Sequence, residues 1–153
     1  MELFRLTRRK FSDTLSGRGA AMKGARWNST GVELIYCATN RSLAMAEVAV
    51  HFTLSTLPPD YVMMTIFVPD DLAIQTVEIS VLPAQWNAFP HHASTQVIGD
   101  RLIASNQTCL IRVPSAVTKG DFNILINPNH PDFRRIKIVE ISDFPFDKRI
   151  IKE

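Results

Sequence analysis

The chain has 153 residues, 46% of them apolar, which suits one compact domain with a real core, and no stretch has the composition of a disordered segment. Lysine and arginine number 17 against 15 acidic residues, and a net charge of +2 argues against direct nucleic-acid binding, although Arg8-Arg9-Lys10 and Arg134-Arg135 are local basic spots. Charges break up residues 1–10, where a secretion signal needs an apolar run, and no stretch approaches the roughly 18 apolar residues of a membrane span. The expectation is a cytoplasmic protein without membrane contact.

In chain order, residues 2–7 alternate well enough for a first strand. Residues 12–24 are rich in serine and glycine, and Gly17, Gly19 and Gly24 argue for a loop that bends sharply or lets something approach its backbone. Arg26 stands at its exit. Residues 32–38 read as a buried strand, after which Thr39, Asn40 or Ser42 can cap a helix over 42–53. The run from Leu43 to Val50 leaves that helix no polar face, so it is expected to be buried almost all round. Residues 62–68, stopped by Pro69, and 76–81, stopped by Pro83, read as strands. Residues 83–100 show little periodicity and read as a connection, with a short helical turn at 101–106. Strands at 109–113, 122–126 and 136–141 follow, then a polar tail with Phe144 and Phe146. About seven strands and one main helix, without regular alternation, predict a single α+β domain over 1–153.

Glu47 is the anomaly. An ionised carboxylate inside an apolar helix must be paired, neutral or open to a cavity, because unpartnered burial is too costly. Arg26 is one available partner, and a structural Arg–Glu bridge accounts for both residues without any chemistry. His51, four residues on and one helical turn along the same face, either helps to fix Glu47 or belongs to the surface. Cys37 and Cys109 lie among apolar neighbours, as buried reduced thiols do. The signatures of a dinucleotide fold, a phosphate loop and a hydrolase elbow are all missing. His91-His92 lacks companions at metal-ligand spacing, His130 reads as a loop residue, and no metal site is expected.

The pattern G-A-R-W-N-x-x-G at 24–31, Tyr36 in its strand, S-L-A-x-A-E at 42–47, V-P-S-A at 113–116 and N-x-L-I-N-P-x-H-P at 123–131 resembles the RES domain family over nearly the whole chain. That family takes its name from an arginine, a glutamate and a serine, which fall here on Arg26, Glu47 and Ser115. Ala25 departs from the pattern, since the family usually has a second glycine there. The resemblance implies an ADP-ribosyltransferase-like fold and the toxin of a type II toxin–antitoxin system. It also implies an activity that consumes NAD as substrate, without a resident cofactor. The implied partner is an Xre-type helix-turn-helix antitoxin that blocks the pocket within a hetero-oligomeric complex.

On that footing Glu47 stabilises the cationic ribose left when nicotinamide departs, and Arg26 grips the diphosphate. Tyr36 stacks on nicotinamide with its hydroxyl at the ring's edge, Ser115 bonds a ribose or orients Glu47, and His51 supports the NAD site. Depletion of NAD, by hydrolysis or phosphorolysis, is the expected outcome. Modification of a protein target is the first alternative, and an inert binding or assembly module the second.

Overall fold

In the computed structural model, which describes residues 1–151, seven strands form one mixed sheet. They are β1 (Glu2–Arg8), β2 (Ile35–Ala38), β3 (Tyr61–Phe67), β4 (Ile74–Thr76), β5 (Leu110–Pro114), β6 (Phe122–Ile126) and β7 (Lys137–Asp143), in the spatial order β4-β5-β6-β2-β1-β3-β7. Only β4 and β5 run parallel. Three α-helices, α1 (Arg18–Lys23), α2 (Arg41–Ala49) and α3 (Ala93–Ser105), complete the α+β domain.

The cross-strand register separates the two faces of the sheet. Phe4 stands opposite Ala38, Ala38 opposite Asn123, and Tyr36 opposite Leu125, which in turn faces Ile111. With residues alternating along each strand, these side chains share one face, and both longer helices cover it. Leu43 and Ala44 of α2 pack on Phe4, Leu6, Ala38 and Met63. Ile98, Leu102 and Ile103 of α3 pack with Trp27, Ile111, Val113 and Leu125. Between the two helices the face is uncovered. The opposite face carries Leu3, Ile35, Cys37, Met64, Ile66, Leu110, Ile124 and Ile126, closed over by Leu72, Cys109 and Ile136.

Several expectations are corrected. The longest helix is α3, in a stretch read as a connection and a turn. Its buried positions are Thr95, Gly99 and Ile103, spaced four apart, so the helical stripe exists but two of its three members lack the bulk that announces one. The loop over 12–24 contains α1. The strand expected at 76–81 ends at Thr76 and gives way to a 3-10 turn at Ile79–Val81. The helix expected over 42–53 spans Arg41–Ala49, with the Asn40 side chain accepting from the Leu43 amide as its N-cap. It is not buried all round: only Leu43 and Ala44 are fully buried, and its other flank borders a cavity. The basic spots are tied into ion pairs, Arg8 with Asp60, Arg9 with Asp143 and Arg135 with Asp71. Among the described residues no helix is long and apolar enough to cross a membrane.

Candidate active site

A cavity of about 880 Å³ opens between α2 and the loops that precede β2 and α3. From α2 it takes Ala44, Glu47 and Val48, and just beyond the helix Val50 and His51. Ala44, Glu47, Val48 and His51 follow the spacing of one helical stripe, which is why a helix so poor in polar residues can border open space. The apolar members line the cavity and Glu47 is its one carboxylate on α2.

Glu47 is held through a single oxygen. Its Oε1 accepts from Ser115 Oγ at 2.7 Å and from Asn123 Nδ2 at 2.6 Å, while Oε2 has no protein partner among the described residues. Ser115 is buried at the end of β5, and its Oγ also accepts from the amides of Val117 at 3.1 Å and Thr118 at 2.9 Å. With both backbone donors on its lone pairs, the hydroxyl proton is left to point at the carboxylate. Asn123, on β6 beside Ala38, was not singled out from the sequence for any role; its signal is an amide on a sheet face that is otherwise apolar.

Arg26 reaches the same cavity from the loop after α1, and no ion pair joins it to Glu47 among the described residues. Its Nη1 donates to the Trp86 carbonyl at 2.7 Å and its Nη2 to the Ala88 carbonyl at 3.1 Å. Two of its five N–H groups thus anchor the 86–88 loop, which brings Asn87 and Phe89 to the cavity wall. Burial pulls the guanidinium below its ordinary pKa, and the negative charge of Glu47 opposes that shift.

The loop carrying Arg26 is fixed from every side. Gly24 has φ of 71°, a conformation that favours glycine, and Ala25 and Asn28 form an isolated bridge. Ala25 has no positive φ, so the methyl group where the family pattern has glycine is accommodated without strain. The fully buried Asn28 donates to the carbonyls of Ala20 at 3.0 Å and Val32 at 3.0 Å. Gln96 of α3 donates to the carbonyls of Ala25 at 3.0 Å and Asn28 at 3.1 Å. A Cβ at Gly99 would come within 1.7 Å of the Trp27 carbonyl oxygen, so only glycine lets α3 press against this loop.

Tyr36 and His51 both border the cavity, with different commitments. The Tyr36 ring lines the cavity, but its hydroxyl is committed: it donates to Asn28 Oδ1 at 2.7 Å and accepts from the Trp27 amide at 2.9 Å. Burial pushes its pKa above the ordinary value. His51 lies past the end of α2, in the turn where its amide bonds the Val48 carbonyl, and its side chain makes no bond to Glu47 among the described residues. It borders the cavity from an exposed position.

The RES domain profile matches residues 2–147. The chain belongs to the RES domain family. Among similar proteins, a Prs ADP-ribosylating toxin of Sphingobium sp. (strain YBL2) is 36% identical over 93% of this chain and 89% of its own length. Toxin Res of Photorhabdus laumondii is 36% identical over 99% of this chain and 98% of its own. The fold is similar to that of a chain in the crystal structure of the M. tuberculosis MbcT–MbcA toxin–antitoxin complex, with a TM-score of 0.69 and 22% identity over 94% of this chain and 84% of that one.

Proposed function

We propose that this chain cleaves the nicotinamide–ribose bond of NAD and depletes it, with water or inorganic phosphate as acceptor. The observation that carries the reading is the Glu47 carboxylate, clamped through one oxygen by Ser115 and Asn123 at the wall of a large cavity and left unpaired by the nearby Arg26. An arginine–glutamate bridge, the basis of the inert-module alternative, is not formed among the described residues.

The bond that breaks joins the ribose anomeric carbon to the pyridinium nitrogen. Its electron pair returns to nicotinamide, which leaves neutral, and positive charge passes to the ribose in an oxocarbenium-like transition state. A fixed carboxylate beside that carbon stabilises the charge as it develops, and a group already oriented by two hydrogen bonds needs no reorganisation at that moment. Water then adds at the anomeric carbon and gives up a proton, yielding ADP-ribose; phosphate instead yields the 1-phosphate ester. Arg26 holds the 86–88 wall and offers its remaining N–H groups to the diphosphate. Tyr36 presents a ring face for nicotinamide and, through its hydroxyl, keeps the Arg26 loop in place.

Membership of the RES domain family and the relatives named Toxin Res, matched over nearly their full length, support reading the chain as the toxin of a toxin–antitoxin system. The partner in this reading is an Xre-type helix-turn-helix antitoxin that closes the cavity in a hetero-oligomer, and co-purification with such a protein encoded next to it tests this. One observation favours a second acceptor, a protein side chain: the Sphingobium relative is named as ADP-ribosylating. The deciding experiment measures nicotinamide release from NAD with and without phosphate, followed by mass spectrometry for ADP-ribose, its 1-phosphate or a modified protein. Nicotinamide release that needs an added protein, or no release at all, refutes the depletion reading.

A further inference from the structure

A second cavity of about 400 Å³ adjoins the first and has no part in the chemistry above. Asn87, Ala116 and Val117 line both, so the two spaces meet between the 86–88 loop and the turn that follows β5. Arg26, through the carbonyls of Trp86 and Ala88, keeps Asn87 at that junction. Ser115 lines the second cavity while donating to Glu47 Oε1, and Glu47 belongs to the first. The second cavity thus reaches to within one hydroxyl of the carboxylate assigned to the cationic ribose.

Ile79, Trp86, Pro114 and Phe122 give it apolar walls, and its two charged residues, Lys119 and Asp121, stand on one turn. Ser115 closes that turn, its amide donating to the Asp121 carbonyl and its hydroxyl accepting from the amides of Val117 and Thr118. Gly120, between the two charged residues, has φ of 95°, which lets the chain reverse there. Among the described residues neither the Lys119 ammonium nor the Asp121 carboxylate has an ion-pair partner, not even the other. The amides of Lys119 and Gly120 likewise donate to no backbone carbonyl there.

A water molecule occupies about 30 Å³ of liquid, so a space of this size serves a larger acceptor. Its charges name the class. A free ammonium with free amides calls for an anion, and a carboxylate beside them calls for an anion that still carries a proton. Inorganic phosphate at neutral pH is such an anion, with oxygens that accept and a hydroxyl that donates. Sulfate has no proton to give, and Asp121 repels it. We propose that the second cavity is the acceptor subsite, holding inorganic phosphate on Lys119 and the amides of 119–120 with its hydroxyl on Asp121, an oxygen directed past Asn87 at the anomeric carbon. The reaction rests on the NAD reading above; the anion preference of the cavity does not. A phosphate oxygen supplies the electron pair of the new C–O bond, and the pair of the broken C–N bond leaves with nicotinamide. The phosphate proton stays on the ester, so the step needs no further acid or base.

The test uses the purified full chain, Lys119→Gln and Asp121→Asn, with nicotinamide release followed while NAD, phosphate and sulfate are varied. In the parent, release rises with phosphate to a plateau, the product is the 1-phosphate ester of ADP-ribose, and sulfate does not compete with phosphate. Lys119→Gln raises the half-saturating phosphate about 10-fold, the loss of one charge-assisted hydrogen bond, at an unchanged KM for NAD. Asp121→Asn lets sulfate compete. Both variants melt with the parent, because neither side chain has a partner in the fold. Release that ignores phosphate overturns the acceptor subsite and leaves NAD hydrolysis standing. A parental half-saturating phosphate in Lys119→Gln, or sulfate that competes equally in the parent and Asp121→Asn, overturns it as well. If the parent releases no nicotinamide under any condition, the NAD reading falls, and phosphate titrated against thermal unfolding decides the subsite. Protection that Lys119→Gln abolishes supports it; no protection, or equal protection of both proteins, overturns it.

Discussion

Glu47→Gln is the most informative single change, because the geometry makes it nearly silent for the fold. The carboxylate is held entirely through Oε1, by Ser115 Oγ at 2.7 Å and Asn123 Nδ2 at 2.6 Å. A glutamine placed with its carbonyl at Oε1 keeps both bonds, and its amide nitrogen takes the position of Oε2, which has no protein partner to lose. What disappears is the negative charge. Removing a preorganised electrostatic stabiliser of this kind costs about 2.7–4 kcal/mol of barrier, or about 10²- to 10³-fold in rate. Nicotinamide release from NAD should fall by that factor with little change in KM, growth arrest on expression should vanish, and the melting temperature should stay within a few degrees of the parent. Glu47→Ala is the contrast, since it strands two donors at about 1–3 kcal/mol each, towards the lower end where the cavity admits solvent. At about 2–4 °C per kcal/mol for a domain of this size, Glu47→Ala should melt measurably lower and Glu47→Gln should not. A Glu47→Gln protein that turns over NAD at the parental rate would refute the assigned chemistry. One that unfolds would show the carboxylate to be structural.

The supports of Glu47 should separate by stability. Asn123→Ala removes one donor and should lower nicotinamide release about 10-fold or more at nearly unchanged stability; Ser115→Ala also strands the Val117 and Thr118 amides and should melt lower as well, both checked by thermal scans beside the kinetic assay. Gly99→Ala drives a methyl group into the Trp27 carbonyl at 1.7 Å, so α3 must retreat from the Arg26 loop, costing about 1–3 kcal/mol and raising the KM for NAD. Alkaline pH should destabilise the fold, because the two thiols begin from an ordinary value of 9.0 and burial pushes Cys109 up to about 11 and Cys37 to about 12. Between pH 9 and those limits the unfolded chain has lost protons that the native chain retains, so stability falls as pH rises, by about 1.4 kcal/mol per pH unit for each thiol. Urea melts across pH 8–12 measure this, and Cys37→Ala should flatten the dependence.

Much of the sheet was legible in the sequence. Phe122–Ile126 and the strands around Leu3, Cys37, Met64, Ile111 and Ile138 announce themselves because β-branched and apolar runs end at proline or polar turns. The helix cap is equally local, narrowed by the sequence to Thr39, Asn40 or Ser42, of which the structure uses Asn40. The helix α3 was not legible, since Thr95 and Gly99 are buried there for fit against Trp27 rather than for hydrophobicity. Nor could periodicity distinguish a helix buried all round from one whose apolar stripe lines a cavity, because both read as the same unbroken run in α2.

At the candidate site the division is similar. Glu47 stands out in the sequence because a carboxylate among alanines and valines demands an account, Arg26 is its available partner, and Ser115 enters only through the resemblance to the RES domain family. Only the tertiary structure brings Asn123 from β6 and Ser115 from the end of β5 onto one oxygen of Glu47, and only it shows Arg26 spent partly on carbonyls. The cost of burying a charge belongs to one residue and can be read where it stands. The partner that offsets that cost is chosen by strand register and helix packing, which join positions far apart along the chain.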